Sequence, residues 1–311
     1  MTPLSKLIAF VSAAASLVRR QMRALMSYSK SKVSPDATPT QGAPSDAKYV
    51  AKPISIAKTQ DRRIGTVPDK VCVYAIGDIH GRLDLLQKLV GKIQADAEAL
   101  PADTQVKLIF LGDYIDRGLS SKQVVDFLIS DQLDPFEKVF LMGNHEEALL
   151  RFIEDASFGQ TWGNYGGIET LYSYGFQGPR QMMLGKQSND QTLEQAWDDL
   201  WRGFRRSIPD AHLTFYQQLG AYHIVGDYLF VHAGLKPGVP IERQSSNDLL
   251  WIRDEFLSHA QPFEKIIVHG HTPADQIFYD HRRIGLDTGA YITGRLSAGR
   301  FFGNDVRFIS T

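Results

Sequence analysis

Three short runs constrain this chain more than anything else in it. They are Gly77-Asp78-Ile79-His80-Gly81-Arg82, Gly112-Asp113-Tyr114-Ile115-Asp116-Arg117-Gly118 and Gly143-Asn144-His145-Glu146. Each follows an apolar run of strand character: Val71 to Ile76, Val106 to Leu111, and Val139 to Met142. Each precedes a stretch that reads as helix. Asp78, His80, Asp113, Asn144 and His145 are therefore expected where strands end and loops begin, the edge at which open α/β sheets bind ligands. Carboxylates, imidazoles and an Asn carbonyl converging there suit a hard, mixed nitrogen and oxygen metal site.

The body around these runs reads in order. Leu83, Leu85, Leu86, Leu89, Val90 and Ile93 recur at helical spacing, which predicts a helix over 83–98. Lys107 to Gly112 is the second strand, Ser120 opens a second helix, and Lys138 to Met142 is the third strand. A further helix is expected from Glu147 to Phe158. This βαβαβα order predicts parallel strands with right-handed crossovers. Beyond a Gly-rich, aromatic stretch from Trp162 to Gly175, helices are expected near 192–207 and 209–219. Tyr222 to Val225 and Tyr228 to His232 predict a hairpin about Gly226-Asp227. Lys265 to Val268 is a strand ending in His269-Gly270-His271-Thr272. Arg283 to Leu286, Tyr291 to Ser297 and Val306 to Ile309 are expected as short closing strands. The expected architecture is an α/β, two-sheet sandwich flanked by helices, without internal repeats.

Of 311 residues, 22% are charged and 43% hydrophobic, the balance of a soluble globular chain. The charge is uneven. Residues 1–60 hold nine Lys/Arg against two Asp/Glu, and the remainder holds 25 basic and 33 acidic residues. The acidic body argues against a nucleic-acid groove, which calls for clustered Lys/Arg. The basic front, 1–66, reads as a disordered extension ahead of a catalytic domain at 67–311; its 27–66 part is rich in Ser, Pro, Thr, Ala and Lys. Leu7 to Val18 has signal-peptide length, but Arg19, Arg20 and Arg23 follow it at once. A cytoplasmic protein without a membrane span is expected, with export or weak surface contact through 1–25 as the alternative. The single cysteine, Cys72, excludes an internal disulfide and fits a reducing compartment.

The three runs, with Val231-His232-Ala233-Gly234-Leu235 and Gly270-His271-Thr272, resemble the metallophosphoesterase superfamily. Within it they resemble PPP-type serine/threonine protein phosphatases of the bacterial and phage kind, over about residues 70–300. The resemblance implies the calcineurin-like two-sheet sandwich and two divalent metal ions, Mn2+ first, with Fe, Zn or Ni as alternatives. It implies Asp78 and His80 as ligands of the first metal and Asp113 as the carboxylate shared by both. Asn144, His232 and His271 are implied as the remaining ligands of the second. A shared carboxylate suits a pair of cations roughly 3.5–4 Å apart, which activate a water for in-line displacement. Arg117 and Arg253 resemble the family's phosphate-binding arginines, with Asn144 and His145 beside them. A guanidinium can bind two phosphoryl oxygens at once. His145 resembles the general acid that protonates the leaving group, and Asp116 its orienting partner.

Singly, each residue has a plainer reading. An Asp after a strand is often only a helix cap, and one buried His is often a satisfied core residue. His269 would share a face with His271 on a strand, and is read as structural. Asp287-Thr288-Gly289 reads equally as a turn or as the point where the closing strand passes the site. Trp162 to Gly175 reads as packing of a Gly-rich corner or as part of the substrate entrance. The expected reaction is hydrolysis of phosphoserine and phosphothreonine in proteins by a monomer needing no obligate regulatory subunit. The alternatives are hydrolysis of dinucleoside polyphosphates and a broad-specificity phosphatase that includes phosphotyrosine. Asp116 and Glu146 favour the phosphoprotein reading in that comparison. A degenerate phosphate-binding module would need a lost ligand, and none is missing.

Overall fold

The computed structural model describes residues 65–177 and 192–311. The expected extension lies outside them except for its last two residues. Those two already belong to the body: Thr66 donates through N and Oγ1 to Asp227, and Tyr228 Oη donates to the Gly65 carbonyl. Among the described residues no helix is long and apolar enough to cross a membrane.

Two five-stranded sheets form the centre. The first runs in the order β10 (Asp305–Ser310), β9 (Ser297–Phe302), β1 (Val71–Ile76), β2 (Gln105–Phe110), β3 (Glu137–Phe140). Strands β1, β2 and β3 are parallel, as the alternation of strand and helix signals requires, and β9 closes antiparallel on β1. The second sheet runs β4 (Tyr222–Val225), β5 (Tyr228–Val231), β6 (Ile266–His269), β8 (Arg283–Gly285), β7 (Phe278–Tyr279). It is mixed, with parallel β5–β6 and β6–β8 pairs and antiparallel edges.

The continuous apolar runs of β1 and β2 follow from burial on both faces. Cys72, Tyr74 and Ile76 point to the helices, with Leu108 and Phe110 beside them. Val73, Ala75, Ile109 and Leu111 point the other way, into the layer between the sheets. There they meet Phe230, Ile266, Val268, Ile284 and Phe301. Helix α1 (Leu83–Ala97) buries Leu85, Leu86, Leu89, Val90 and Ile93 on the first sheet, the residues whose spacing predicted it. Helix α2 (Ser121–Leu128) packs Val124, Val125 and Phe127 beside it. Leu249 of Ser246–Trp251 and Phe256 of Asp254–Leu257 cover the outer face of the second sheet, against Leu229, Val231 and Ile267.

Two expectations are corrected. Helix α3 spans Asn144–Glu154 and so begins three residues earlier than expected. Glu146 folds back to accept the Gly143 N–H at 3.1 Å, so Asn144 and His145 belong to the first helical turn and not to a loop. Tyr291 to Ser297 is not a strand. Gly289 and Gly294 both take left-handed φ and bracket one helical turn, Ala290–Thr293, before β9 starts at Ser297.

The inter-sheet layer makes a direct claim on stability. Ile109 is fully buried there. Ile109→Ala should cost about 2–5 kcal/mol in urea unfolding; a loss under about 0.5 kcal/mol would contradict the layer assignment.

Candidate metal and phosphate site

Asp113 stands at the centre of the site. It follows β2, is almost wholly buried, and has φ of 53°, a left-handed value that non-glycine residues seldom adopt. Two groups of potential donors share it. Asp113, His232 and His271 offer atoms that lie within 4.8 Å of one another, and so do His80, Asp113 and His145. Asn144 joins the first group, its Oδ1 lying 2.8 Å from both His232 Nε2 and His271 Nδ1.

The hydrogen bonds around these groups leave their inner atoms without protons to share. His232 Nδ1 donates to the Leu111 carbonyl at 2.8 Å. Burial lowers the affinity of this ring for a second proton. The neutral ring then carries a lone pair on Nε2, which faces Asn144 Oδ1, another acceptor. His80 has the same tautomer: Nδ1 donates to the Ile115 carbonyl, while Nε2 accepts from Arg117 Nη1 at 3.3 Å and stands 3.5 Å from Asp113 Oδ2. His271 Nε2 and Asp78 Oδ1 are buried and have no hydrogen-bond partner. Acceptors buried face to face are costly without a cation between them.

The carboxylates carry the same message. Asp78 is pushed well above the usual carboxylate range, by burial first and then by the charges of Asp287 and Asp113. Burial pushes Asp287 up to about 6. Burial alone would also raise Asp113, but His232, His145, His80 and His271 around it outweigh that and hold it low. The donor set therefore fits divalent metal. Asp78, His80, Asp113, Asn144, His232 and His271 could hold it, with Asp113 common to both halves.

Local backbone explains how these residues meet. The Asp113 carbonyl accepts N–H from both Ile79 and His80, which ties the first site loop to the second. Glu146 binds the second loop to the third. Its fully buried carboxylate accepts N–H groups from Asp113 at 2.9 Å, Tyr114 at 2.8 Å and Ile115 at 3.2 Å, as well as from Gly143. Sequence reading used Glu146 only to choose among substrates and missed this fastening role. Its place three residues after Gly143, at a helix start, was the available signal. At Gly270 any Cβ would overlap Asp78 Oδ1, so this loop must be glycine to reach the carboxylate.

The phosphate-handling candidates lie on the same cluster. His145 Nδ1 donates to Asp116 Oδ2 at 2.7 Å, and its Nε2 lies 3.8 Å from Asp113 Oδ2. Arg117 is half-buried, its guanidinium 4.7 Å from the Tyr291 ring centre, and its charge acts on Asp78 and Asp287. Arg253 is half-buried, and its charge acts on His232, His271 and Asp287. Tyr291 was missed by sequence reading because its segment was taken for a strand. His269 turns away from the cluster: Arg283 Nη1 lies 3.0 Å from its Nε2, and its Nδ1 donates to the Gly270 carbonyl. Asp287 Oδ1 accepts the Gly289 N–H at 2.8 Å, the turn role, yet its charge also acts on Asp78. Both readings of Asp287 hold at once.

Metal bound to so polar a buried cluster must stabilise the fold by mass action, about 2.7 kcal/mol at a hundredfold excess over the dissociation constant. Chelation by EDTA should lower Tm by several degrees and added Mn2+ should restore it. A Tm indifferent to both would contradict the metal assignment.

Comparison with known proteins agrees with this geometry. A bis(5'-nucleosyl)-tetraphosphatase, PrpE [asymmetrical], of Bacillus thuringiensis is 26% identical over 245 residues, covering 73% of this chain and 89% of that protein. A protein of the same name from Anoxybacillus flavithermus is 25% identical over 246 residues, with the same coverage. A crystal structure provisionally described as a diadenosine tetraphosphatase superposes with a TM-score of 0.50 at 20% identity, covering 80% of this chain and 95% of that one. The family profile described as calcineurin-like phosphoesterase matches residues 73–300, from the third position of β1 to the middle of β9. Every site residue falls inside that match, as does the whole second sheet, and the chain belongs to the calcineurin-like phosphoesterase family.

Proposed function

We propose that this metallophosphoesterase cleaves the phosphoanhydride chain of dinucleoside tetraphosphates asymmetrically, releasing two nucleotides of unequal phosphate number. The observation that carries the substrate is the likeness to tetraphosphatases across nearly the whole catalytic body. Asp116 and Glu146 point from sequence toward phosphoproteins, but two positions weigh less than a match of 245 residues. The observation that supports the reaction class is the pair of donor groups sharing Asp113, with two arginines beside it.

The residues divide the chemistry as follows. Asp78, His80, Asp113, Asn144, His232 and His271 would hold two divalent ions, which supply an activated water and offset phosphoryl charge when bound. Arg117 and Arg253 would grip the nonbridging oxygens of the phosphoryl group under attack, where bidentate contacts resist rotation. One P–O bond forms to the water oxygen and one P–O–P bridge breaks. The departing nucleotide takes the bridge oxygen as a phosphate anion that is stable near neutral pH, so it needs little protonation. His145, held through Nδ1 by Asp116, keeps Nε2 facing the centre and can give a proton to an oxygen there.

That last arrangement supports a second reading. A buried imidazole and carboxylate pair matters most for esters with alkoxide leaving groups, as in phosphoserine and phosphothreonine. A substrate panel on the Mn2+-loaded protein separates the two. The expected result is the highest kcat/KM on dinucleoside tetraphosphate, with products of unequal phosphate number. A phosphopeptide turned over tenfold faster would reverse the choice. In His145→Ala, alkyl phosphate hydrolysis should fall by about 10²–10⁴-fold, while nitrophenyl phosphate hydrolysis falls far less. Equal losses would count against proton donation by His145.

A further inference from the structure

The Gly-rich stretch around Trp162 is the one sequence feature that neither the fold nor the reaction has absorbed. It folds into consecutive turns, Gly159–Trp162, Gly163–Gly167 and Ile168–Ser173, packed beside α3 and α2. Two of its side chains reach Asp116. Trp162 Nε1 donates to Asp116 Oδ2 at 3.0 Å, and Thr170 Oγ1 donates to Asp116 Oδ1 at 2.6 Å. Both residues and Asp116 are fully buried. The Thr170 hydroxyl also accepts the Asp116 N–H at 2.9 Å, with Ser121 Oγ at 3.1 Å. The Gly166 carbonyl accepts the Arg117 N–H at 3.1 Å. Gly166 itself has φ of 107°, and a Cβ there would stand 2.7 Å from Arg117 Cγ.

These contacts fall on a strained pair. Asp116 and Arg117 both have left-handed φ, 70° and 68°. Such values cost about 1–3 kcal/mol each and persist only where the surroundings over-determine them. An Asp carboxylate turns easily about its last torsion. Donors on both oxygens remove that freedom and leave one lone pair of Oδ2 for His145 Nδ1. The imidazole is then held in one tautomer, with Nε2 toward Asp113.

We propose that the segment from Trp162 to Thr170 is a positioning clamp for the reaction centre: Trp162 and Thr170 fix Asp116 and through it His145, while Gly166 fixes the backbone of Arg117. The clamp rests on the proposed hydrolase reading only through the role of His145. Trp162 is also core, stacked on Phe152 at 4.9 Å, so its substitution alone could not separate positioning from packing. Thr170→Val can, because it keeps shape and removes only the hydroxyl.

The test is proton NMR of the full chain loaded with diamagnetic Zn2+. The proton between His145 Nδ1 and Asp116 should give a far-downfield imidazole signal, assigned by its loss in His145→Ala. In Thr170→Val and in Trp162→Phe the signal should shift or broaden, while Thr170→Val stays folded with its Tm lowered by only a few degrees. On dinucleoside tetraphosphate, Thr170→Val should lower kcat about tenfold with little change in KM, and should have no further effect in a His145→Ala background. An unshifted signal in a folded Thr170→Val variant overturns the clamp, as does a wild-type spectrum without the signal. Equal rate losses in both backgrounds would show a merely structural role and overturn it too. If the chain does not turn over that substrate, the spectra alone decide, so failure of the substrate reading and failure of the clamp are separate results.

Discussion

Buried acceptors that face one another, with no proton to share, are what the rest of this molecule is arranged to hold. His232 Nε2 against Asn144 Oδ1, and the partnerless His271 Nε2 and Asp78 Oδ1, lie in one small buried volume around Asp113. In an ordinary core each would be a fault worth about 1–3 kcal/mol. Here they converge from separate strand ends and become the means of holding positive charge. The outer nitrogens of His80, His145 and His232 are occupied by a backbone carbonyl or a carboxylate, which is how a scaffold selects the tautomer that points inward.

Keeping that arrangement costs backbone strain, and the strain is localised. Among the described residues six non-glycine positions have positive φ, and five of them are His80, Asp113, Asp116, Arg117 and His271. Strain concentrated on the chemistry-bearing residues is a mark of a site whose geometry is imposed by its surroundings. The imposing contacts are identifiable. The Asp113 carbonyl and the Glu146 carboxylate stitch three loops together, and the layer of Val73, Ile109, Phe230 and Val268 fixes the strands from which those loops spring. Packing sets the strand ends, the stitched loops set the donor directions, and the donor directions set the chemistry.

Much of this was legible in the chain, and for a physical reason. Strands buried on both faces write continuous apolar runs, so β1 and β2 were visible, and the polar residues that follow them could not be core. Asp78, His80, Asp113 and Asn144 were singled out at strand ends, His232 and His271 by the family resemblance, and the fold brings all six together. The failures are equally instructive. Tyr291 to Ser297 has strand-forming composition, but two glycines with left-handed φ turned its first half into a helical turn. Propensity lost to tertiary context, and Tyr291 was lost with it. Glu146 could have been read only in part, from its spacing to Gly143; Thr170 acts through hydrogen bonds to a distant carboxylate, which neither periodicity nor spacing records. Substrate choice was the least legible feature. It depends on what surrounds the phosphoryl group, while the motifs describe the phosphoryl group alone.

The account stands or falls on whether the facing acceptors enclose cations. Anomalous diffraction from crystals grown with Mn2+ would test this most directly. The account predicts two peaks, one among Asp78, His80 and Asp113 and one among Asp113, Asn144, His232 and His271, with the Asp113 carboxylate between them. A map with no peak at Asp113, or with metal only at surface carboxylates, would contradict it.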